Sequence, residues 1–255
     1  MRDRIGDKRV LGLVKAFLKS GILSQDGEMV GTKTGTPQGG MLSPLLANIA
    51  LSGLDEHFAA AWKSWGSNSS RCRRHDKGLA TYRLVRYADD FVVMARYQGP
   101  QLVGWVEKTL EDWLGLKLNR TKTRLVNLNE EGTHLDFLGY PFRYDHDLYG
   151  RDRRYLNWRP SAKSLKREKA KLSAMTASRQ GWTKVPELIE EINRCLQGWM
   201  NYFRLGYPRQ AFRAIGWHVR CRFISHLRRR SQRPYRKPEE RSWYAELAAL
   251  GLLRP

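Results

Sequence analysis

Cysteine, acidic residues and long apolar runs are all scarce in this sequence of 255 residues. The three cysteines, Cys72, Cys195 and Cys221, are widely spaced and odd in number, so they supply no zinc motif and fit reduced thiols in a cytoplasmic protein. Hydrophobic residues make up 41% of the chain, but the longest apolar runs fall well short of a membrane span. We therefore expect no membrane partner.

The scarcity of acids leaves a strongly basic protein. Lys and Arg number 46 against 25 Asp and Glu, which gives a net charge of +21 and a pI near 10.2. Residues 141–255 carry +16 of that charge and residues 1–140 only +5. A balance this basic predicts attraction to a polyanion. Nine tryptophans and many arginines, spread over several predicted helices, favour a nucleic-acid groove over a membrane surface.

The first part of the chain shows both helical and strand periodicity. Helices are predicted over residues 6–20, from about Ser43 onwards and over about 100–114; hairpins are predicted around Asp26-Gly27, around the pair Asp89-Asp90 and over residues 133–158. Residues 64–80 are polar, basic and rich in Gly and Ser, so they are predicted to form a surface loop.

After Pro160 the pattern becomes purely helical, with Gly or Pro between the periodic stretches. The predicted fold class is therefore α+β, in which helices and antiparallel hairpins precede an all-helical basic domain. We place the boundary between residues 158 and 159, so the predicted domains are 1–158 and 159–255.

The stretch VRYADDFVV (residues 85–93) sets two adjacent aspartates inside an apolar, β-branched run. Asp is depleted in strands, and neighbouring like charges repel each other. A tight turn between two strands removes the first problem, and a divalent cation would relieve the second. For the dipeptide alone a solvated turn is the better interpretation, and only the surrounding motifs favour a metal site.

Four segments occur in a meaningful order: GTPQGGMLSPLLANIAL, RYADDFVVM, LNRTKT and FLGYPF. Together they resemble the second half of a reverse transcriptase palm, most closely that of reverse transcriptases encoded by group II introns. The basic tail, with its GWMNYF core, resembles the maturase (thumb) domain of the same proteins. The resemblance covers nearly the whole chain. It implies a partial palm followed by a helical RNA-binding domain.

The resemblance also implies a catalytic role for the aspartates. Nucleotide addition by the two-metal mechanism uses two Mg²⁺ ions, which take carboxylate oxygens, waters and substrate phosphates as ligands. Asp89 would be the principal ligand from this motif and Asp90 the second. Tyr87 would lie against the primer end, and Ala88 would leave room for it. Lys122 would lie near the departing pyrophosphate as a proton donor, although alone it could be a solvated lysine.

Nucleotide- and primer-binding roles follow from the same resemblance for Pro37, Gln38, Gly39, Phe137, Leu138, Gly139 and Tyr140. The first three would form the wall of the nascent base pair and the incoming dNTP, and the last four the primer grip. Taken alone, the segment with Pro37, Gln38 and Gly39 indicates only a turn at the start of a helix. The segment Phe137–Tyr140 alone indicates only a strand of the core.

The tail supplies the candidates for RNA contact. One apolar helical face (Leu188, Ile192, Leu196 and Phe203) is predicted to be core. The candidate phosphate contacts are Lys163, Lys166, Arg167, Lys169, Lys171, Arg220, Arg222, Arg228, Arg229 and Arg230. Each of these residues, considered alone, is best interpreted as a solvated surface charge. As a group they favour RNA binding, because few acidic residues are present to balance their charge.

A complete enzyme of the resembled family has fingers and an earlier palm strand with another metal-binding aspartate, upstream of a helix like residues 6–20. Asp3 and Asp7 lack the apolar strand that such a ligand needs. We therefore expect an N-terminally truncated chain with an incomplete Mg²⁺ site, which extends a primer poorly without a missing N-terminal segment or split partner.

Two function classes remain open. One is a reverse transcriptase (RNA-directed DNA polymerase) and maturase of a group II intron, with intron RNA, RNA template, DNA primer and dNTP as partners. The other is a non-catalytic, RNA-binding maturase remnant that assists intron RNA folding and splicing. A nucleotide cyclase with a palm-like fold fits the aspartate pair but not the PQGG, FLGY and GWMNYF segments.

Overall fold

The computed structural model describes residues 5–19, 22–23, 29–30, 42–97, 100–113, 115, 119–121, 123–147, 151–232 and 235–255. They form two compact units, residues 1–124 and residues 125–255. Helices and antiparallel strands are mixed in the first unit, and helices follow a small sheet in the second. The predicted α+β class is confirmed.

The first unit contains the elements α1 (Lys8–Lys19), β1 (Ile22–Leu23), β2 (Met29–Val30), α2 (Ser43–Ser64), α3 (Asn68–Asp76), β3 (Tyr82–Tyr87), β4 (Asp90–Ala95) and α4 (Pro100–Lys108), with a π-helical turn (Thr109–Trp113) after α4. The predicted short strands are confirmed by the antiparallel pairing of β1 with β2, whereas Asp26-Gly27 lies outside the described residues. Pro44 occupies the first turn of α2, where a missing N–H costs nothing.

The core of the first unit lies between α2, α4 and the inner face of the β3–β4 hairpin. Leu54 and Phe58 of α2 and Leu110 of the π-helical turn are buried there. The Phe58 ring meets Trp105 edge-on at 4.9 Å between centroids, a geometry that adds to the gain from burial. This packing fixes the inner face of the hairpin against helices.

Residues 64–80 do not form the loop that their composition predicts. Residues 68–76 are helical (α3), and the Ser67 hydroxyl caps the helix by accepting from the Ser70 amide at 3.3 Å. The guanidinium of Arg71 lies 4.2 Å from the centre of the Trp62 ring, and that of Arg74 lies 5.5 Å from Trp65. The loop prediction was wrong because cation–π contacts with α2 and its C-terminus stabilise a helix of poor intrinsic propensity.

The second unit contains the elements β5 (Leu135–Phe137), β6 (Tyr140–His146), β7 (Arg154–Trp158), α5 (Ala162–Met175), α6 (Val185–Tyr202), α7 (Arg209–Arg229) and α8 (Trp243–Ala249), with a 3₁₀ turn (Ser178–Gln180) before α6. The strands form an antiparallel sheet in the order β5-β6-β7. Helices at every stretch predicted after Pro160 are confirmed. In the described ranges of both units, no helix has the length and apolar character required to cross a membrane.

The core of the second unit is built from apolar positions of α5, α6 and α7. The fully buried side chains are Leu172, Leu188, Ile192, Leu196, Ile215, Val219, Phe223 and Leu227. Those of α7 recur every four residues, which places them on one face of the helix. The predicted apolar face is confirmed, because its three residues on α6 and Phe203, which directly follows the helix, are all at most 2% exposed.

The sheet of the second unit is attached to α6 through Tyr140. The Tyr140 side chain is buried, its ring lies 5.0 Å from that of Phe203, and its hydroxyl donates to the Tyr202 carbonyl at 2.8 Å. Burial raises the pKa of Tyr140, so the hydroxyl stays protonated and able to donate. The sheet therefore belongs with the helices that follow it, and the two compact units divide at residues 124/125. The boundary at 158/159, based on where the purely helical pattern begins, stays a prediction.

Gly206 allows the chain after α6 to pass directly over β7. Its φ is +79°, and an added methyl group would overlap the Trp158 carbonyl oxygen and approach the Trp158 indole to 2.5 Å. The next residue, Tyr207, donates its amide to the same carbonyl at 3.0 Å. No side chain larger than hydrogen fits here without moving the strand.

We predict that Gly206→Ala lowers the free energy of unfolding by about 3 kcal/mol or more, since left-handed strain of about 1–2 kcal/mol is added to a backbone overlap. Gly132→Ala is the matched control, because Gly132 has the same φ of +79° and no atom within 4 Å of the added methyl group. Urea denaturation of the full chain measures both. Equal losses would show that strain alone acts at Gly206.

Candidate functional site

The two aspartates lie at the tip of the β3–β4 hairpin, as predicted. Tyr87 pairs with Asp90 at the end of the ladder, which leaves Ala88 and Asp89 as a two-residue turn. Ala88 has a φ of +54°, which is uncommon for a residue with a side chain. A positive φ at the first turn residue is compatible with the right-handed twist of the strands. The turn therefore points Asp89 beyond the end of the sheet.

The hairpin has one buried and one exposed face. Leu84 of β3 and Phe91 of β4 face the core of the first unit. Tyr87 and its partner Asp90 share the opposite face, where the Tyr87 side chain is 65% exposed. Asp89 is also exposed. Both carboxylates and one tyrosine ring are therefore accessible at the same end of the hairpin.

Arg86, on the inner face, fixes this turn to α2. Its Nη2 donates to Oδ2 of Asp55 at 2.6 Å, and its Nε lies 3.0 Å from Oδ1 of the same carboxylate. Its Nη1 donates to Asn48 Oδ1 at 2.9 Å and to the Ala88 carbonyl at 2.7 Å. One planar guanidinium thus joins two side chains of α2 to the backbone of the turn that carries Asp89.

The Arg86 side chain is only 12% exposed, while that of Asp55 is 42% exposed. The hydrogen bond to Asp55 raises the pKa of Arg86, although burial acts the other way. Sequence reasoning did not find this link. The available signal was a charged residue at an inward position of an alternating strand, because a largely buried charge requires a paired, hydrogen-bonding partner.

The carboxylates at the turn are of the type that Mg²⁺ prefers, but they supply only some of the ligands that a two-metal site needs. Mg²⁺ prefers carboxylate oxygens, and neither Asp89 nor Asp90 forms an ion pair with any residue that the structure describes. Across the described ranges, no group of three or more His, Cys, Asp or Glu side chains is placed to hold a metal ion. Two carboxylates from one hairpin supply part of a two-metal site.

Several predicted site residues lie outside the described residues. These are Pro37, Gln38, Gly39 and Lys122. Asp3, which was not predicted to be a ligand, also lies outside the described residues. Asp7 lies just before α1, and its carboxylate accepts from the Arg9 amide at 2.7 Å. Asp7 thus caps a helix, and the expectation that it is no substitute metal ligand stays a prediction.

The segment Phe137–Tyr140 forms the β5–β6 turn of the second unit. Leu138 and Gly139 both have positive φ, of 52° and 82°, which is the type I′ pattern. The Tyr202 hydroxyl donates to the Leu138 carbonyl at 3.0 Å. Phe137 and Leu138 are half-buried and Tyr140 is buried, so packing accounts for much of this motif.

The ten predicted RNA-contacting residues divide by exposure. Those that are exposed are Lys163, Lys166, Arg167, Lys171, Arg228 and Arg229, and those that are half-buried are Lys169, Arg220, Arg222 and Arg230. Two of the half-buried arginines also make structural hydrogen bonds: Arg222 to the Ser173 carbonyl at 3.3 Å and Arg230 to the Thr183 carbonyl at 3.2 Å. The exposed face of α5 therefore offers the cations that are least engaged within the fold.

Comparison with known families divides the chain into two matched regions. Residues 4–142 match the family model described as reverse transcriptase (RNA-dependent DNA polymerase). Residues 165–244 match the one described as group II intron, maturase-specific domain. The first match covers more than half of the chain and includes the aspartate hairpin, and the second lies within the helices of the second unit.

Individual relatives agree with these matches. The chain is 49% identical over 188 residues to the group II intron-encoded protein LtrA of Lactococcus lactis subsp. cremoris, covering 55% of this chain and 31% of LtrA. It is 29% identical over 167 residues to protein YkfC of Escherichia coli (strain K12), covering 59% and 43%. For the putative COX1/OXI3 intron 2 protein of Saccharomyces cerevisiae the identity is 26% over 180 residues, covering 55% and 21%. The chain spans less than half the length of these curated relatives.

We predict that Arg86→Ala loosens the turn without unfolding the hairpin. Hydrogen bonds of charged groups contribute about 1.5–3 kcal/mol each, so the amides of residues 88–90 are expected to exchange with solvent at least about tenfold faster. Hydrogen–deuterium exchange measures this. Arg83→Ala is the control, because Arg83 lies on the same strand but on the outer face, where its guanidinium lies over the Trp62 ring at 4.8 Å. Equal exchange in both variants would mean that the strand ladder alone holds the turn.

Proposed function

The chain belongs to the reverse transcriptase family and carries a group II intron maturase-specific domain, and we propose that it supplies the metal-binding hairpin of an RNA-directed DNA polymerase together with the RNA-binding domain of an intron maturase. The observation that carries this proposal is the position of Asp89 and Asp90. They occupy the exposed tip of a hairpin inside the matched reverse transcriptase region.

Reverse transcriptases generally use Mg²⁺. When bound, the metal would polarise the attacking primer hydroxyl and neutralise charge on the transferred phosphate. Asp89 and Asp90 are the residues of this chain that would hold it. Their carboxylates need no rearrangement to become accessible, because both are already exposed at the turn.

The other residues of the hairpin would position the reacting ends. Tyr87 shares the exposed face with Asp90, so its ring is placed to contact the primer end. Ala88 adds little bulk beside the ring. Arg86 is a positioning residue: through the Ala88 carbonyl it sets the direction in which Asp89 points.

The remaining motifs extend the proposal by resemblance. We propose that Pro37, Gln38 and Gly39 contact the nascent base pair and the dNTP, and that Lys122 lies near the departing pyrophosphate. Phe137–Tyr140 would contact the primer through its half-buried Leu138 and the turn backbone, since the Tyr140 side chain is buried.

RNA binding is proposed for the basic faces of the second unit. Lys163, Lys166 and Arg167 recur at intervals of three and four residues on α5, so they lie on one side of the helix. Buried Ser164, Glu168 and Leu172 mark the opposite side. The proposed partners are group II intron RNA, an RNA template and a DNA primer.

A second candidate function, a non-catalytic maturase that assists intron RNA folding and splicing, is favoured by one observation. The maturase-specific match, residues 165–244, lies wholly in the second unit, which has a core of its own. This separation supports a maturase function in which RNA binding would not require the aspartate hairpin.

We predict that Asp89→Asn abolishes primer extension, which an assay with a primed RNA template, dNTP and Mg²⁺ measures. The substitution keeps the side-chain shape and removes a metal-binding charge, so the rate is expected to fall by about a hundredfold or more. Asp112→Asn is the control, because Asp112 is an exposed acid of the same unit outside the hairpin.

Equal extension by Asp89→Asn and the unaltered chain would contradict the catalytic assignment. If the unaltered chain binds RNA but gives no extension even when an N-terminal segment with the fingers and the earlier palm strand is supplied, the non-catalytic maturase is the correct function.

The salt dependence of RNA binding provides a separate prediction. Replacing Lys163, Lys166 and Arg167 together by Ala is expected to reduce the slope of log affinity against log salt by about 2 for single-stranded RNA, since each phosphate contact contributes about 0.7. Lys184→Ala is the control, because Lys184 is 80% exposed but already paired with Glu187. Fluorescence anisotropy at several salt concentrations measures the slope. An unchanged slope would place the RNA contacts elsewhere.

A further inference from the structure

A cleft of about 380 Å³ lies in the second unit between α7, α8 and residues 252–255. This volume is within the range of about 300–1,000 Å³ that is usual for small-molecule sites. Its polar wall consists of three arginines, Arg213, Arg220 and Arg254, and its aromatic wall of Trp217 and Tyr244. No acidic side chain is among the residues that line it in the described part of the chain.

The wall formed by the last residues is held in place by Asn193 of α6. The Asn193 amide donates to the Gly251 carbonyl at 2.7 Å, and its carbonyl oxygen accepts from the Leu253 amide at 2.8 Å. Leu252, between these two contacts, is 6% exposed and joins the core. The segment is therefore anchored on both sides of Leu252, and the cleft is part of the fold.

The aromatic rings of the cleft are accessible and surrounded by positive charge. The Trp217 side chain is 65% exposed and that of Tyr244 is 48% exposed. The Arg254 guanidinium lies 4.0 Å from the centre of the Tyr244 ring, and that of Arg220 lies 5.5 Å from Trp217 and 5.2 Å from Tyr244. One indole face is thus available for stacking, with guanidinium groups close by.

We propose that this cleft binds one unpaired nucleotide of a single-stranded RNA, with the base stacked on Trp217 and the adjoining phosphates on Arg213 and Arg220. Base stacking on an aromatic ring combined with a cationic wall is the chemistry by which single strands are bound. A duplex cannot use the site, since its bases are stacked on one another. The inference rests on the proposed RNA-binding function but adds a site, because Arg220 is the only one of the ten predicted phosphate contacts, all among the described residues, that lines the cleft.

The test compares two exposed tryptophans of the same unit in the full chain. Trp217→Ala is expected to weaken binding of a short fluorescein-labelled single-stranded RNA by about tenfold, the effect of losing one stacked base. Trp182→Ala is the matched control, because Trp182 is 81% exposed and lies outside the cleft. Trp217→Phe should retain most of the affinity, since a ring remains. Binding of a duplex of the same sequence should not change in any variant.

Each alternative result overturns the inference. Equal affinity of Trp217→Ala and Trp182→Ala would remove the site while leaving RNA binding, and thus the proposed function, intact. Equal weakening of single-stranded and duplex RNA would indicate a folding or general charge effect. A further alternative is that free AMP or UMP displaces the labelled RNA when its concentration equals that of the RNA counted in nucleotides. In that case the cleft would be a site for a mononucleotide and not for an RNA strand. Absence of RNA binding by the unaltered chain would instead refute the proposed function itself.

Discussion

The guanidinium of Arg86 is the constraint on which the candidate catalytic hairpin depends. A hairpin tip with two adjacent carboxylates and an alanine at positive φ contains both electrostatic repulsion and backbone strain. Arg86 opposes the strain, because its guanidinium binds the Ala88 carbonyl directly. Its own charge is balanced by Asp55 of α2. The position of the acids is therefore set by a helix that is distant from them in sequence.

The helices and the hairpin could be predicted because their signals are local. The apolar, β-branched run around Asp89-Asp90 predicted the strands, and helical spacing predicted the core face of α6. Helix α3 could not be predicted, since its stability depends on the rings of Trp62 and Trp65 outside it. The division at 124/125 depends on Tyr140 meeting Tyr202 and Phe203, contacts between residues more than sixty positions apart.

Within the candidate sites, the candidate functional residues could be predicted from the sequence, but the hydrogen-bond partners of those residues could not. The sequence identifies the aspartate pair and the basic residues. It does not show that Arg222 and Arg230 bind backbone carbonyls while Lys163, Lys166 and Arg167 of α5 are left exposed. Asp55 lies 31 residues before Arg86, and Asn193 lies 58 residues before Gly251. Such pairs form only when distant parts of the chain pack together, so a short sequence motif does not predict them.

The stacking of arginines on Trp62 has a consequence for conformational entropy. Arg71 and Arg83 lie over this one ring at 4.2 and 4.8 Å, and Arg71 is further held by the Gly66 carbonyl at 2.6 Å. A free arginine side chain loses rotamer freedom worth about 1.5–2 kcal/mol when it is fixed. For Arg71 and Arg83, much of this loss of rotamer entropy occurs when the protein folds and not when a ligand binds. Any anion that meets them finds guanidinium groups already oriented, and its binding requires correspondingly less ordering of the protein.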